Sequence, residues 1–249
     1  MMIMATVALS NYPTKSEGNS LSYKSFFKVI LITLLFSFPS FSALQVTAGE
    51  NEKYKVVSEE RKAEITKSIE SNLHTLKTLR ADFIQERHIA LFLDVLKSGG
   101  ALSFERPNKL RWELKEPYRT IMLFNNNEVA KFRIEKENIE KANFGMEDLL
   151  RGVLGQIISI LKGDFGKSME AYNMVVMEGD DYLLKLTPKS EGMAKTILSL
   201  ELFFDTKSLQ MSQIIIREPQ DDFMKIIFSD HRINETLNDK LFNIETPVY

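Results

Sequence analysis

From Met146 to Leu161 the chain is apolar over more than half of a helix circumference: Met146, Leu149, Leu150, Val153, Leu154, Ile157, Ile158, Ile160 and Leu161 leave room for few charges, and Gly163 closes the run. A helix of this kind has to lie against a wide apolar surface. The flanking sequence can supply one, because its period is two. Upstream, Leu102 and Phe104 alternate with Ala101, Ser103 and Glu105, and Leu110, Trp112 and Leu114 alternate with Arg111, Glu113 and Lys115. Stretches 121–124 and 129–134 continue the series around an Asn125-Asn126-Asn127 hairpin turn. Downstream, strands are expected over 172–177, 182–187, 197–204, 211–216 and 223–228, with Leu198, Leu200, Leu202 and Phe204 forming one face. A short loop or turn of helix is expected to open at Thr187-Pro188-Lys189.

Ahead of the strands, Ser58 followed by Glu59 and Glu60 reads as an N-cap with acids in the first turn. Ile65, Ile69, Leu73 and Leu76 then recur at helical spacing, which predicts one amphipathic helix running to about Leu79. One helix, half-buried meandering strands, an apolar helical insert and more strands point to an α+β fold: a single curved antiparallel sheet, an incomplete β-barrel, around a helical filling.

The first 42 residues read differently. A basic stretch from Tyr23, an apolar core from Val29 to Phe36, a break at Pro39 and small residues to Ala43 have the order of a secretory signal peptide, with cleavage expected after Ser42 or, alternatively, near Ala48. The core is shorter than the roughly 20 residues a spanning helix requires. The chain therefore divides into a leader and signal peptide over 1–42 and one domain over 43–249. Removing the leader takes away Lys15, Lys24, Lys28 and Glu17, which leaves a mildly acidic mature chain. An exported chain with no Cys points to a Gram-negative periplasm, where a fold that buries its own core can dispense with disulfides.

Composition removes several chemistries. The chain has 32 Lys+Arg against 34 Asp+Glu, so it lacks the cationic excess that displaces counterions from nucleic acid. Without Cys there are no thiolate nucleophiles, Cys-bound zinc, iron–sulfur clusters or lipidated Cys. His74, His88 and His231 have no metal-ligand spacing, and Asp180-Asp181 and Asp221-Asp222 sit in turn contexts where Asp is expected for turn chemistry alone. No cofactor or metal is expected, and the chain reads as a non-enzyme. Eight Met in the mature part suit either irregular core packing or a surface that accepts varied apolar ligands.

The order of elements and several local strings resemble the outer-membrane lipoprotein carrier protein family, LolA. The strings are Leu79 to Gln85 (LRADFIQ), Ser98 to Pro107 (SGGALSFERP), Leu110 to Trp112, Glu116-Pro117, Leu184 to Lys189 (LKLTPK), Phe228 to Asp230, Asn234, Phe242 and Pro247. The resemblance implies an incomplete barrel closed by a helical lid over an apolar cavity. That cavity takes the acyl chains of lipoproteins, or of other acylated cargo, from an inner-membrane ABC exporter to an outer-membrane lipoprotein receptor. It further implies that Arg106 of the Arg106-Pro107 pair latches the lid of the empty form, with Pro107 ending its strand. Candidate cavity and lid residues are then Phe104, Trp112, Met146, Leu149, Leu150, Val153, Leu154, Ile157, Leu198, Leu200, Leu202 and Phe204.

The chain departs from the typical carrier at Val129 to Ile134, where an aromatic strand is usual, and in the continuity of its insert. Both features resemble members associated with other lipids or glycolipids. The family's receptor is lipidated on Cys, so a chain without Cys resembles the soluble, monomeric carrier. An alternative reading is a periplasmic interaction module that uses the same groove for a protein partner and never carries lipid.

Overall fold

The computed structural model describes residues 53–136, 138–142 and 147–248. The expected leader and Met146 lie outside these residues, as does the side chain of Leu149. A two-residue strand β1 (Lys55–Val56) precedes helix α1 (Glu59–His74). The expected N-cap is present: Ser58 Oγ accepts from Arg61 N at 3.3 Å. Ile65, Ile69 and Leu73 form the buried face of α1.

The helix stops at His74, earlier than the spacing of Leu76 and Leu79 predicts. Both leucines are buried, but Leu76 in the segment that connects helix to strand and Leu79 in the strand itself. The cause lies far along the chain. Asn234, itself left-handed at φ 60°, accepts from Lys77 N at 2.7 Å through its Oδ1 and donates through Nδ2 to Thr75 O at 3.2 Å. Its amide replaces the next helical turn and feeds the chain into a strand.

Strands β2 (Thr78–His88), β3 (Leu96–Glu105), β4 (Lys109–Glu116), β5 (Arg119–Asn125), β6 (Glu128–Glu135) and β7 (Asn138–Lys141) follow as a meander. Helices α2 (Glu147–Lys162) and α3 (Phe165–Ala171) form the insert. The chain continues with β8 (Tyr172–Glu178), β9 (Asp181–Pro188), the single turn α4 (Glu191–Ala194), β10 (Ser199–Asp205), β11 (Met211–Arg217) and β12 (Phe223–Ile233). All twelve strands join one antiparallel sheet in the order β1-β8-β9-β10-β11-β12-β2-β3-β4-β5-β6-β7. The edge strands β1 and β7 are not paired with each other, so the barrel is incomplete. The insert α2–α3 leaves from one edge strand and returns into β8, the neighbour of the other.

The inner face of the sheet carries the main core, with Leu102, Phe104, Trp112, Leu202 and Phe204 at 0–4% exposure. The strands around β4–β6 are not half-buried as their alternation suggests. Their outer face carries a second core of Ile121, Leu123, Ala130, Phe132 and Ile134. The C-terminal segment reaches this side of the sheet: Arg111 Nη1 donates to Leu241 O at 3.2 Å, Asn125 Nδ2 donates to Phe242 O at 3.1 Å, and Phe242 is fully buried. Leu198 is also corrected. It precedes β10, donates its N–H to Arg217 O, and is 49% exposed, so it is not part of the inner face that Leu200, Leu202 and Phe204 form. Asp180 and Asp221 lie in turns as expected, Asp221 in the 3-10 turn over 219–221 that Asp222 follows, whereas Asp181 is the first residue of β9.

Candidate functional site: a helix-filled apolar interior

Helix α2 turns Leu150, Leu154, Ile158 and Leu161 inward, each 1–4% exposed, and packs against β4, β5, β6 and α1. Ile157 packs half-buried against the same core, and Val153 is half-buried. Of the candidate lining residues, Phe104, Trp112, Leu150, Leu154, Leu200, Leu202 and Phe204 meet in this one core. Trp112 lies against Phe83 with 4.3 Å between ring centroids and the ring planes tilted by 35°, and it meets Phe228 edge-on at 6.4 Å. The pairing of Phe83 with Trp112 depends on Gly100, since a Cβ there would lie 2.3 Å from both the Phe83 ring and Glu113 O.

A cavity of about 50 Å³ lies where the C-terminal ends of α1 and α2 meet the sheet, lined by Leu73, Leu76, Leu79, Leu102, Leu161 and Phe228, with Asn72, Gln210 and His231 among its polar groups. That volume is of the order of one or two water molecules, against roughly 300–1,000 Å³ for a ligand pocket. The space expected to be hollow is thus filled by side chains of α2 that pack into the main core.

The fastening of that helix is visible. Arg106 stands in the β3–β4 turn, half-buried, and its guanidinium spans the C-terminal ends of both helices. Nε donates to Leu76 O at 2.5 Å, and Nη2 donates to Leu73 O at 2.8 Å and to Lys162 O at 3.1 Å. Leu73 O and Lys162 O belong to the last turns of α1 and α2, where the helix dipole is negative, and Leu76 O follows just after α1, so a cation is matched to this group of carbonyls in charge. Pro107 is exposed in the turn that ends β3 and makes no part of the fastening.

Gly163, at φ +74°, closes α2 in a conformation that disfavours a side chain, and a Cβ there would approach Leu73 Cβ at 3.3 Å. The close approach brings the two helix ends within reach of one guanidinium. A second tether, which the sequence did not disclose, holds the other half of the helix: Arg151 Nε donates to Asn127 O at 2.8 Å in the β5–β6 turn while its Nη1 pairs with Asp148.

The inner face becomes polar toward the opposite end of β2. Gln85 and Arg87 are buried there, and Arg87 forms a two-bond pair with Glu218 at 2.6 and 2.9 Å, with both side chains nearly buried. The interior therefore has an apolar end under the Arg106 fastening and a charged end. Among the described residues no group of three or more His, Asp or Glu is arranged to hold a metal, and no helix is long and apolar enough to cross a membrane.

A family model described as outer membrane lipoprotein carrier protein LolA matches residues 74–245. Among curated relatives, an outer-membrane lipoprotein carrier protein of Methylococcus capsulatus is 26% identical over 72% of this chain and 82% of its own length. The protein of the same description from Nitrosomonas europaea is 24% identical over 75% of this chain and 87% of its own. Among solved structures, a LolA superfamily protein from Nitrosomonas europaea aligns over 72% of this chain and 97% of its own, with 10% identity and a TM-score of 0.38.

Proposed function

We propose, since the chain belongs to the outer-membrane lipoprotein carrier family LolA, that it is a periplasmic carrier which shields acyl chains in the space α2 fills and releases them when α2 returns. The observation that carries this reading is the single guanidinium of Arg106 bridging the ends of α1 and α2 over an apolar interior. Burying hydrocarbon is worth about 0.8 kcal/mol per methylene, so loading is easily favourable and release is the harder step. A lid that packs its own leucines into the cargo space competes with the lipid for the same surface, and Arg106 biases that competition toward the empty, closed form. The segment 1–42 would be the export leader and 43–249 the carrier domain. An inner-membrane ABC exporter would be the donor and an outer-membrane lipoprotein receptor the acceptor, each meeting the monomer in turn.

The test is Arg106→Leu. Removing charge-assisted bonds worth roughly 1.5–3 kcal/mol from the closed form shifts the equilibrium toward the open form by about 10- to 150-fold. Lipoprotein loading is then retained and release to acceptor membranes slows. Release at the wild-type rate would remove the latch from the account.

A further inference from the structure

The connection between β2 and β3 (89–95, IALFLDV) puts large apolar side chains into solvent at its tip. Leu91, Phe92 and Leu93 are 72%, 42% and 74% exposed, and Leu96, where β3 begins, is 45% exposed. The base of the loop is fastened. Ala90 N donates to Asp222 Oδ1 at 2.8 Å beside the β11–β12 turn, and Phe92 N donates to Ile89 O at 2.8 Å. Next to these bonds His88 stacks on Phe223 with 4.0 Å between ring centroids, and Ile89 and Val95 are half-buried. Three successive apolar side chains are thus held out in water by an ordered base, at a cost that a covering partner would remove.

Because neighbouring strands are antiparallel, the β4–β5 and β9–β10 connections emerge at the same end of the sheet and add exposed Tyr118 and Leu198 to it. The Arg106 turn and the β10–β11 turn lie at the opposite end. Other exposed apolar residues, among them Val56, Ile84, Val175 and Ile233, lie along strands instead of at tips. Exposed charges of both signs surround the apolar end: Lys97, Lys115 and Lys195 beside Asp94, Glu116 and Asp221.

We propose that this end of the sheet docks on a lipid bilayer, with Leu91, Phe92 and Leu93 inserted among the headgroups and Tyr118 and Leu198 resting on the surface. The proposal goes beyond the carrier reading and does not depend on it. A turn tip is convex and its successive side chains diverge, so a fluid interface can close around each of them where a rigid protein surface would cover one or two. Apolar groups on three separate connections at one end suit a planar partner, and aromatic rings with a polar neighbourhood favour the headgroup level. A collar of both signs complements zwitterionic headgroups, which carry a phosphate and an ammonium. It lacks the basic cluster that would select anionic lipid.

The experiment is flotation of the mature protein with vesicles of phosphatidylcholine alone and of an equimolar mixture with phosphatidylglycerol, at low and at high salt. The wild type is expected to float equally with both and to stay bound at high salt. Leu91→Ser with Phe92→Ser and Leu93→Ser should weaken vesicle binding about tenfold or more, with thermal melting and lipopeptide binding unchanged. A polarity-sensitive fluorophore on Leu93→Cys should shift to the blue on vesicles, while one on Lys207→Cys, exposed in the β10–β11 turn, should not. Absence of flotation, equal flotation of the triple variant, or a fluorophore at Leu93→Cys that does not respond overturns the docking end. Flotation that requires phosphatidylglycerol or is lost at high salt marks electrostatic adsorption and overturns it as well. A wild-type dimer that the triple substitution dissociates, without flotation, would assign the loop to a second copy of the chain and overturn the lipid assignment. Flotation of a protein that binds no lipopeptide would support the docking end and count against the carrier reading alone.

Discussion

Glu113 shows how a charge can be built into a strand without serving the cargo. It lies on the outer face of β4, 8% exposed, and its two oxygens take the guanidinium groups of Arg111 at 2.7 Å and Arg119 at 2.9 Å. Burial alone would raise its pKa, but Arg111 and Arg119 outweigh it and hold the carboxyl below its ordinary value. A carboxyl depressed in the folded state contributes stability that is complete above its unfolded value and lost as pH falls through the folded one. Urea unfolding of Glu113→Gln should therefore show lower stability at neutral pH and a shallower loss on acidification below about pH 4 than the wild type. Parallel acid profiles for the two proteins would contradict this. The alternation at Arg111 and Glu113 was legible, but their burial was not, because the cover comes from Leu241 and Phe242, more than a hundred residues away. Arg106 was legible only through its family string. Its three acceptors are main-chain carbonyls, and a carbonyl leaves no trace in residue identity.

Helix α2 is the element on which the proposed exchange with cargo rests, and its composition is poor for a helix that has to stand alone. Gly152 and Gly155 each cost roughly 0.5–1 kcal/mol relative to Ala, and Val153, Ile157, Ile158 and Ile160 are β-branched. Its stability comes from the sheet it fills, as suits a segment that exchanges places with lipid. Gly155→Ala is expected to stabilise the closed form by about 0.5–1 kcal/mol, because the new Cβ meets only Phe124 Cε2 at 3.9 Å. Thermal melting should rise and lipid affinity should fall about two- to fivefold; tighter lipid binding would contradict a lid that competes with cargo. The existence and extent of α2 were plain from its apolar periodicity. The early end of α1 was not, since Leu76 and Leu79 keep the helical spacing and only the distant amide of Asn234 redirects the chain. Short β7 and α3 carried too little pattern to be seen.

At the scale of the whole molecule, an open-edged sheet is what allows a helix to be cargo's stand-in. A closed small barrel fills its interior with its own strands' side chains and cannot yield that space without breaking its ladder. Here β1 and β7 are unpaired with each other, and the insert joins the two sides of the gap, so α2 can leave with the ladder intact. Among the described residues, Arg106 to Lys162 O and Arg151 to Asn127 O are arginine contacts that the proposed departure of α2 has to break besides packing. The interior is apolar under Arg106 and charged at Arg87 and Glu218, a polarity that suits an amphiphile in the proposed carrier role.

The chain has no Cys, so paired spin labels can be placed at will, for example through Gly152→Cys on the exposed side of α2 and Lys97→Cys on β3. The decisive measurement is the distance between them in the mature protein, with and without a triacylated lipopeptide at saturating concentration. A single narrow distance in the empty protein that gives way to a longer one as lipopeptide binds is the predicted result. Stoichiometric binding of the lipopeptide with the distance unchanged would contradict the claim that α2 occupies the cargo's place.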